Sequence, residues 1–393
     1  MNIKPLILLA AILLSCQDTS GERESNPIEK SIVVGAERMD LYLTDLKDKR
    51  IALVVNQTSM VKDVHLVDTL LSRGIDIVKV FSPEHGFRGT ADAGEAVSSG
   101  IDPTTKLPLV SLYGKNKKPT AEQLSDVDVV IFDIQDVGTR FYTYISTMHY
   151  VMETCAEQDK SVIVLDRPNP NGMYVDGPVL EPEHSSFVGL HPIPIVHGLT
   201  VGELAKMING EGWLKDGLTC QLKVIENEHY NHSSEYSLPI KPSPNLPNDE
   251  AIALYPSLCL FEGTIVSVGR GTPHPFQVIG HPTRGLGAYT FKPASNAGAS
   301  RPKYESELCY GKSFVKSKIK RELNLGYLIN SYKLLSKNGD FFNNYFVKLA
   351  GTSDLRKQIE SGVSEPDIRE SWQGKLTQYK TIRKKYLLYP DFE

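Results

Sequence analysis

The chain has 393 residues, 40% hydrophobic and 23% charged, with a formal net charge of −4. Such a composition suits a globular protein of roughly two domains, and nothing in it forms the basic footprint that nucleic acid demands. Five cysteines in a chain of this length make no disulfide scaffold, and Cys155, Cys220, Cys259 and Cys309 fit no zinc spacing. Buried thiols are the better reading of these four, with a Cys220–Cys259 bridge as the alternative.

Lys4 followed by the apolar run Leu6 to Leu14 is too short for a membrane span of about 20 residues and reads as a signal sequence. It ends in Leu13-Leu14-Ser15-Cys16, which resembles a bacterial lipobox, where the signal is cut before a cysteine that is then acylated. An ordinary cleaved signal with an incidental cysteine is the alternative. Residues 1–15 are thus expected to be a lipoprotein signal peptide, and 16–31 a flexible tether, because Gln17 to Pro27 is polar and aperiodic. Loss of the signal removes one positive charge, Lys4, and moves the formal charge from −4 to −5.

Apolar runs then alternate with helical patterns. Arg50 to Val55 leads to Asn56-Gln57-Thr58, and Ile75 to Phe81 leads to Ser82-Pro83-Glu84-His85-Gly86-Phe87-Arg88-Gly89. Leu107 to Tyr113 ends at Gly114, Val127 to Phe132 at Asp133-Ile134-Gln135-Asp136, and Ser161 to Leu165 at Asp166-Arg167-Pro168-Asn169-Pro170. Val67, Leu70 and Leu71 mark one intervening helix, and the series from Phe141 through Tyr144 and Met148 to Cys155 marks another. Near-continuous apolar strands alternating with helices predict a Rossmann-like, doubly wound parallel sheet, α/β in class, covered on both faces. Its polar residues cluster after the strands, and those ends share one edge. Asn56, Glu84, Asp136, Arg140 and Asp166 are therefore expected to converge there. No GxGxxG motif opens a helix after the first strand and there is no Walker A pattern, so no nucleotide cofactor is expected.

Thr200 caps the next helix, with Glu203 completing a capping box ahead of Leu204, Met207 and Ile208. A further strand and the Pro-rich loop Pro242 to Asn248 follow. Leu260 to Thr272 reads as a strand interrupted by Gly and polar residues, and the domain junction is placed here. Residues 32–257 are predicted to be the Rossmann-like catalytic domain, and 258–393 a smaller α+β domain completing the cleft. The series Leu325-Leu328-Ile329-Tyr332-Leu335 and Ile368-Trp372-Leu376-Tyr379-Ile382 mark amphipathic helices in the latter.

Glu84 is the leading chemical candidate, since a carboxylic acid walled by apolar groups such as Phe87 keeps its proton near neutral pH. A structural loop glutamate bonded to backbone amides is the alternative. His85 orients Glu84, binds a substrate hydroxyl, or packs. In Gln135-Asp136-Val137-Gly138-Thr139-Arg140, Gly138 permits close backbone approach and Arg140 is expected in the first turn of a helix, where an Arg fork reads an anion. The alternative makes Asp136 a cap and pairs Arg140 with a carboxylate of the protein itself. Asp166, Arg167 and Asn169 form a stiff turn that either hydrogen-bonds a polyol or serves the fold. Asn245, Glu262 and Arg270 make a second polar group near the junction, where clefts tend to lie, and Glu262 is the second carboxylate. Phe87, Tyr142 and Tyr144 either stack on a sugar face or pack in the core. His191, His197, His274 and His281 lack metal-ligand spacing, so no metal is expected.

Taken in order, Asn56-Gln57-Thr58, Pro83-Glu84-His85-Gly86, Ser111-Leu112-Tyr113-Gly114, Phe132 to Gly138, Arg140 to Tyr144, Asp166 to Pro170, His197 to Glu203, Ser243-Pro244-Asn245, and Phe261 to Thr264 with Gly269 to Thr272 resemble one family. It is the exo-acting β-N-acetylmuramidases of bacterial cell-wall recycling, and the resemblance runs from about residue 33 to residue 285. It implies a hydrolase that releases terminal β-linked N-acetylmuramic acid from the non-reducing end of peptidoglycan fragments. It also implies a Rossmann-like domain joined to a smaller one, with the active site between them and the catalytic glutamate at Glu84. The lactyl carboxylate of muramic acid calls for an anion-reading cation, with Arg140 or Arg270 first and Arg88 and Arg167 behind them. Glycoside hydrolysis needs an acid and a second group that activates water or steadies the oxocarbenium-like transition state; the sugar's own acetamido group is the alternative nucleophile.

The expected partners are a peptidoglycan-derived saccharide and, through the lipid anchor, a membrane of the bacterial cell envelope, at the periplasmic face or outer membrane. No nucleic acid or protein partner is expected. The competing function is a lipid-anchored receptor that binds muropeptides or another anionic sugar without turnover. An esterase or amidase lacks its GxSxG elbow.

Overall fold

Seven strands form the main sheet of the computed structural model, which describes residues 30–84, 86, 87 and 99–393. Cys16, His85 and Arg88 lie outside the described residues. The strands are β1 (Ile51–Val55), β2 (Ile77–Ser82), β3 (Gly100–Ile101), β4 (Pro108–Ser111), β5 (Val129–Asp133), β6 (Ser161–Leu165) and β7 (Gln221–Ile225). Their order is β3-β4-β2-β1-β5-β6-β7, parallel throughout except for the antiparallel edge strand β3. The five apolar runs are the inner strands, and the further strand expected after the Thr200 helix joins the same sheet as β7.

Period-two alternation explains the burial on both faces. Ala52, Val54, Val130, Phe132, Val162 and Val164 point to one core, with α2 (Tyr144–Glu157) and α3 (Val201–Gly210) packed on it. Ile51, Leu53, Val55, Val129, Ile131, Ile163 and Leu165 point to the other, which α1 (Leu66–Ser72) and the segment from Val34 to Leu46 cover. Each such buried aliphatic side chain stabilises the fold by about 1.5–3 kcal/mol, so neither face tolerates a register slip.

The Thr200 capping box forms as expected: Thr200 Oγ1 accepts from Glu203 N and Glu203 Oε2 accepts from Thr200 N at 2.8 Å. The same helix start faces Asp166, whose carboxylate accepts from Tyr389 OH (2.6 Å), Thr200 Oγ1 (2.7 Å), Gly202 N (2.8 Å) and Arg167 N (3.0 Å). Burial nevertheless pushes the Asp166 carboxyl up to about 7 from its ordinary 3.8. The folded state then holds this proton more tightly than the unfolded one, so the stability it contributes is present at acid pH and lost as the pH rises from about 4 through 7. We expect Asp166→Asn to lack this loss. Its melting temperature relative to wild type should improve between pH 5 and pH 8, and an unchanged difference would argue against the raised carboxyl.

The chain after β7 builds a smaller layer. Helix α4 (Asp249–Leu258) runs directly into a 3-10 turn, Cys259–Gly263. Leu260 to Thr272 is therefore no interrupted strand. Gly263 is pressed so closely on Phe346 that a Cβ would come within 2.5 Å of its Cα, Gly269 and Gly271 take φ of 75° and 80°, and pairing is reduced to single bridges such as Ser267 to Gly280. An antiparallel sheet of β8 (Val278–His281), β9 (Tyr289–Phe291) and β10 (Cys309–Ser313), ordered β8-β10-β9, follows. Helices α5 (Gly326–Leu335), α6 (Phe346–Ala350), α7 (Asp354–Glu360), α8 (Glu365–Ser371) and α9 (Gln373–Arg383) complete it, with α8 and α9 meeting at Trp372.

Residues 32–393 pack as one unit. Cys155, Cys220, Cys259 and Cys309 are all buried free thiols, so the alternative of a Cys220–Cys259 bridge is withdrawn: Cys220 N bonds Asn209 Oδ1 beside β7 while Cys259 Sγ points at Glu262. Among the described residues, no helix is long and apolar enough to cross a membrane.

Candidate active site

A cleft of about 690 Å³ opens at the C-terminal edge of the parallel sheet, closed on its other side by the chain beyond α4. Glu84 enters it directly after β2, where Pro83 ends the strand and Gly86, at φ 77°, turns the chain. Its carboxylate accepts from Thr143 Oγ1 at 3.2 Å, and its carbonyl accepts from Tyr144 OH at 3.3 Å. The start of α2 thus fixes Glu84 from below. Phe87 does not wall it: the ring turns into the opposite core and packs edge-on against His65 at 5.0 Å.

Aromatic rings line the cleft instead. Tyr142 meets Tyr144 edge-to-face at 4.9 Å, Tyr255 meets Tyr142 at 6.1 Å, and Phe276 meets Tyr255 at 4.9 Å. Such a run offers the apolar face of a pyranose a stacking surface. Burial pushes the hydroxyls of Tyr142, Tyr144 and Tyr255 upward, so they remain neutral donors through the neutral range. The Tyr142 hydroxyl donates to Pro242 O at 2.8 Å and Asn245 Nδ2 to Gly298 O at 2.6 Å, which ties the Pro-rich loop to both sides.

Glu262 lines the same cleft from the 3-10 turn after α4. Arg270 Nη1 donates to its Oε1 at 2.7 Å, and Cys259 Sγ lies 3.8 Å from its Oε2. Both members of the Glu262–Arg270 pair keep about a quarter of their side-chain surface exposed (24% each), so the pair is reachable by a ligand. Lys117, over the Phe187 ring at 4.3 Å, and Tyr345 and Lys348 from the α6 region complete the rim.

Of the residues expected at the site, Glu84, Tyr142, Asn245, Glu262 and Arg270 share this cleft, with Tyr144 beside them. Asn56, Gln135, Asp136, Arg140, Asp166, Arg167 and Asn169 do not line it; all seven are buried and bound to the protein itself. Asn56 Oδ1 accepts from Thr58, Gln135 Nε2 donates to Pro168 O, and Asp136 Oδ2 accepts from Gly138 N. Arg167 forks onto Asp133 at 2.6 and 2.9 Å, and Asn169 Nδ2 donates to Leu199 O. The polar side chains of the turn after β6 thus bond the fold itself and do not line this cleft. Arg140 stands outside α2, because Thr139 bridges Val196 and delays the helix start to Tyr144. Its guanidinium donates to the carbonyls of Pro178, Ile193, Leu349 and Ala350 and, among the described residues, holds no carboxylate; burial pulls it down to about 9.

Tyr255, Phe276, Phe187, Tyr345, Lys117 and Lys348 were not anticipated as lining residues. Tyr255 lies in the apolar pattern of α4, which signals core, and it serves core and cleft together. Among the described residues, Glu181, Glu183 and His184 bring ligand-type atoms within 4.8 Å of one another, but they lie outside the cleft and Glu181 already accepts from Lys375.

The sequence matches the family described as exo-beta-N-acetylmuramidase NamZ, its N-terminal part over residues 51–250 and its C-terminal part over 253–389. It is 41% identical over 379 residues to the peptidoglycan beta-N-acetylmuramidase NamZ of Bacillus subtilis (strain 168), covering 88% of this chain and 89% of that protein. A crystal structure of a DUF1343 family protein from Bacteroides fragilis NCTC 9343 superposes with a TM-score of 0.85 at 47% identity, over 92% of this chain and all of the other. A second such protein from the same organism gives 0.79 at 30% identity, over 91% of this chain and 99% of the other. With a shared fold, two matched parts and a curated relative over most of its length, the chain is a glycosidase belonging to the exo-beta-N-acetylmuramidase NamZ family.

Proposed function

We propose that this protein releases terminal β-linked N-acetylmuramic acid from the non-reducing end of peptidoglycan fragments, with Glu84 as general acid/base. The observation that carries the proposal is that Glu84 and Glu262 line one aromatic-walled cleft. Glu84 protonates the departing glycosidic oxygen and then takes a proton from the incoming water. The Glu262 carboxylate opposes the positive charge that develops on the anomeric carbon and ring oxygen, or orients the sugar's acetamido group. The lactyl carboxylate is read by the cations of the cleft. Arg270 is the leading one, with Lys117 and Lys348 at the rim; Arg140, committed to backbone carbonyls, takes no part.

The test is release of a chromogenic aglycone from the β-N-acetylmuraminide and from the matching β-N-acetylglucosaminide, which lacks only the lactyl ether. We expect kcat/KM to favour the muraminide by about 10- to 100-fold, since the analogue forgoes a charge-assisted hydrogen bond worth about 1.5–3 kcal/mol. Equal rates would remove the lactyl-reading role. No release from either sugar, with muropeptide binding intact, would make the protein a receptor.

A further inference from the structure

Behind Glu262 lies a lysine that no part of the proposed chemistry uses. Lys303 projects from the loop after Pro302 into the turn that carries Glu262, and its ammonium donates to the carbonyls of Phe261 (3.4 Å), Val266 (3.1 Å) and Thr264. Its neighbour Tyr304 donates from its hydroxyl to Ile265 O at 2.6 Å. Two consecutive side chains therefore hold four carbonyls between Phe261 and Val266, while Ile265 N bonds Phe341 O from the opposite side. An ammonium has three N–H groups and no acceptor, and here all three meet backbone oxygen. Among the described residues no carboxylate bonds it; Glu262 is the nearby acid that favours its charge.

We propose that Lys303 is a positioning residue for Glu262: its ammonium pins the Phe261–Val266 turn so that the Glu262–Arg270 pair faces the sugar. The inference rests on the reading of Glu262 as part of the reacting site. A neutral amine offers two N–H groups and a lone pair, so deprotonation turns one of the three contacts repulsive and frees the turn. Burial draws Lys303 down to about 8, which puts that event within reach of an activity assay. The other titratable or charged groups around it, among the described residues, are Glu262 and Arg270 on the facing segments, Arg301 and Tyr304 on its own loop, His281 at the end of β8, whose ring meets Tyr304 at 5.1 Å, and Glu307, which acts on both Tyr304 and His281. Tyr304 is raised to about 12 and His281 is lowered from 6.5, while arginine stays charged.

The experiment measures kcat and KM on the chromogenic muraminide from pH 6 to 9.5 for wild type, Lys303→Met, Lys303→Arg and Glu262→Gln, with thermal melts alongside. We expect Lys303→Met to fold and to lose kcat by about tenfold to 100-fold, as a misplaced reacting group does, with KM within about twofold. We expect the alkaline limb of wild-type kcat near pH 8 to move above pH 9 in Lys303→Arg, whose guanidinium keeps its proton. A folded Lys303→Met with wild-type kcat overturns the inference. So does an unmoved limb in Lys303→Arg, which assigns that limb to another group, and this arm decides alone if Lys303→Met does not fold. Should Glu262→Gln keep full activity, the role given to Glu262 fails and the inference with it. Should Glu262→Gln be inactive while Lys303→Met is not, only the inference about Lys303 fails.

Discussion

Glu84→Gln should lower kcat on a disaccharide with an N-acetylglucosamine leaving group by about 10³-fold or more, the upper part of the range for a general acid. The amide keeps the size of the side chain and its oxygen still accepts from Thr143, so the fold and KM should be little changed. Proton donation matters less when the leaving group is a good one, because a nitrophenolate departs without full protonation. The loss should therefore be clearly smaller on the nitrophenyl muraminide than on the disaccharide. That split separates a general acid from a residue that only binds. Comparable losses on both substrates, or retention of more than about a tenth of the activity on the disaccharide, would count against the acid role.

The largest effect on stability is expected at Arg140. Its buried guanidinium joins the carbonyls of Pro178 and Ile193 to those of Leu349 and Ala350 at the end of α6, where helix carbonyls lack partners of their own. Gly351, at φ 74°, leaves room for it: a Cβ there would lie 2.4 Å from Arg140 Nη2. Arg140→Met fills much of the volume but strands the carbonyls of Pro178, Leu349 and Ala350, while Ile193 O keeps its bond from Leu180 N. At about 1–3 kcal/mol for each unsatisfied group, partly relieved by relaxation, the cost is about 3–5 kcal/mol. Against a total stability of about 5–15 kcal/mol, and in a unit of this size, this is a fall in melting temperature of roughly 4–7 °C. Circular dichroism melts measure it directly, and a change under about 2 °C would show that the carbonyls find other partners. Because α6 bears Lys348 and follows Tyr345, both lining the cleft, KM should rise before the fold is lost.

The contrast between these two residues marks where sequence patterns inform and where they stop. Glu84 and Arg140 each follow an apolar strand, and each stands near a Gly and an aromatic residue. Glu84 is delivered to the cleft by local rules, since Pro83 ends the strand and Gly86 turns the chain at once. Arg140 is turned inward by a bridge from Thr139 to Val196, a partner distant in sequence, which delays α2 by a turn and leaves the guanidinium facing carbonyls 209 and 210 residues away. Arg167 was diverted in the same way, by Asp133 at the end of the neighbouring strand.

The parallel α/β sheet, its apolar strands, the Thr200 capping box and the smaller C-terminal α+β part were legible in the residue pattern alone. These rest on period-two burial, capping hydrogen bonds and turn residues, which act between neighbours along the chain. Which polar side chains reach the cleft and which are spent on the scaffold depends on packing that no local pattern encodes. A buried charge goes to whatever acceptors the fold brings beside it, since leaving it unpaired costs several kcal/mol, and those acceptors are chosen by contacts distant in sequence. Tyr255 was hidden for a related reason: one face of α4 serves as core and cleft wall together, and helical periodicity cannot tell a ring that meets protein from a ring that meets substrate.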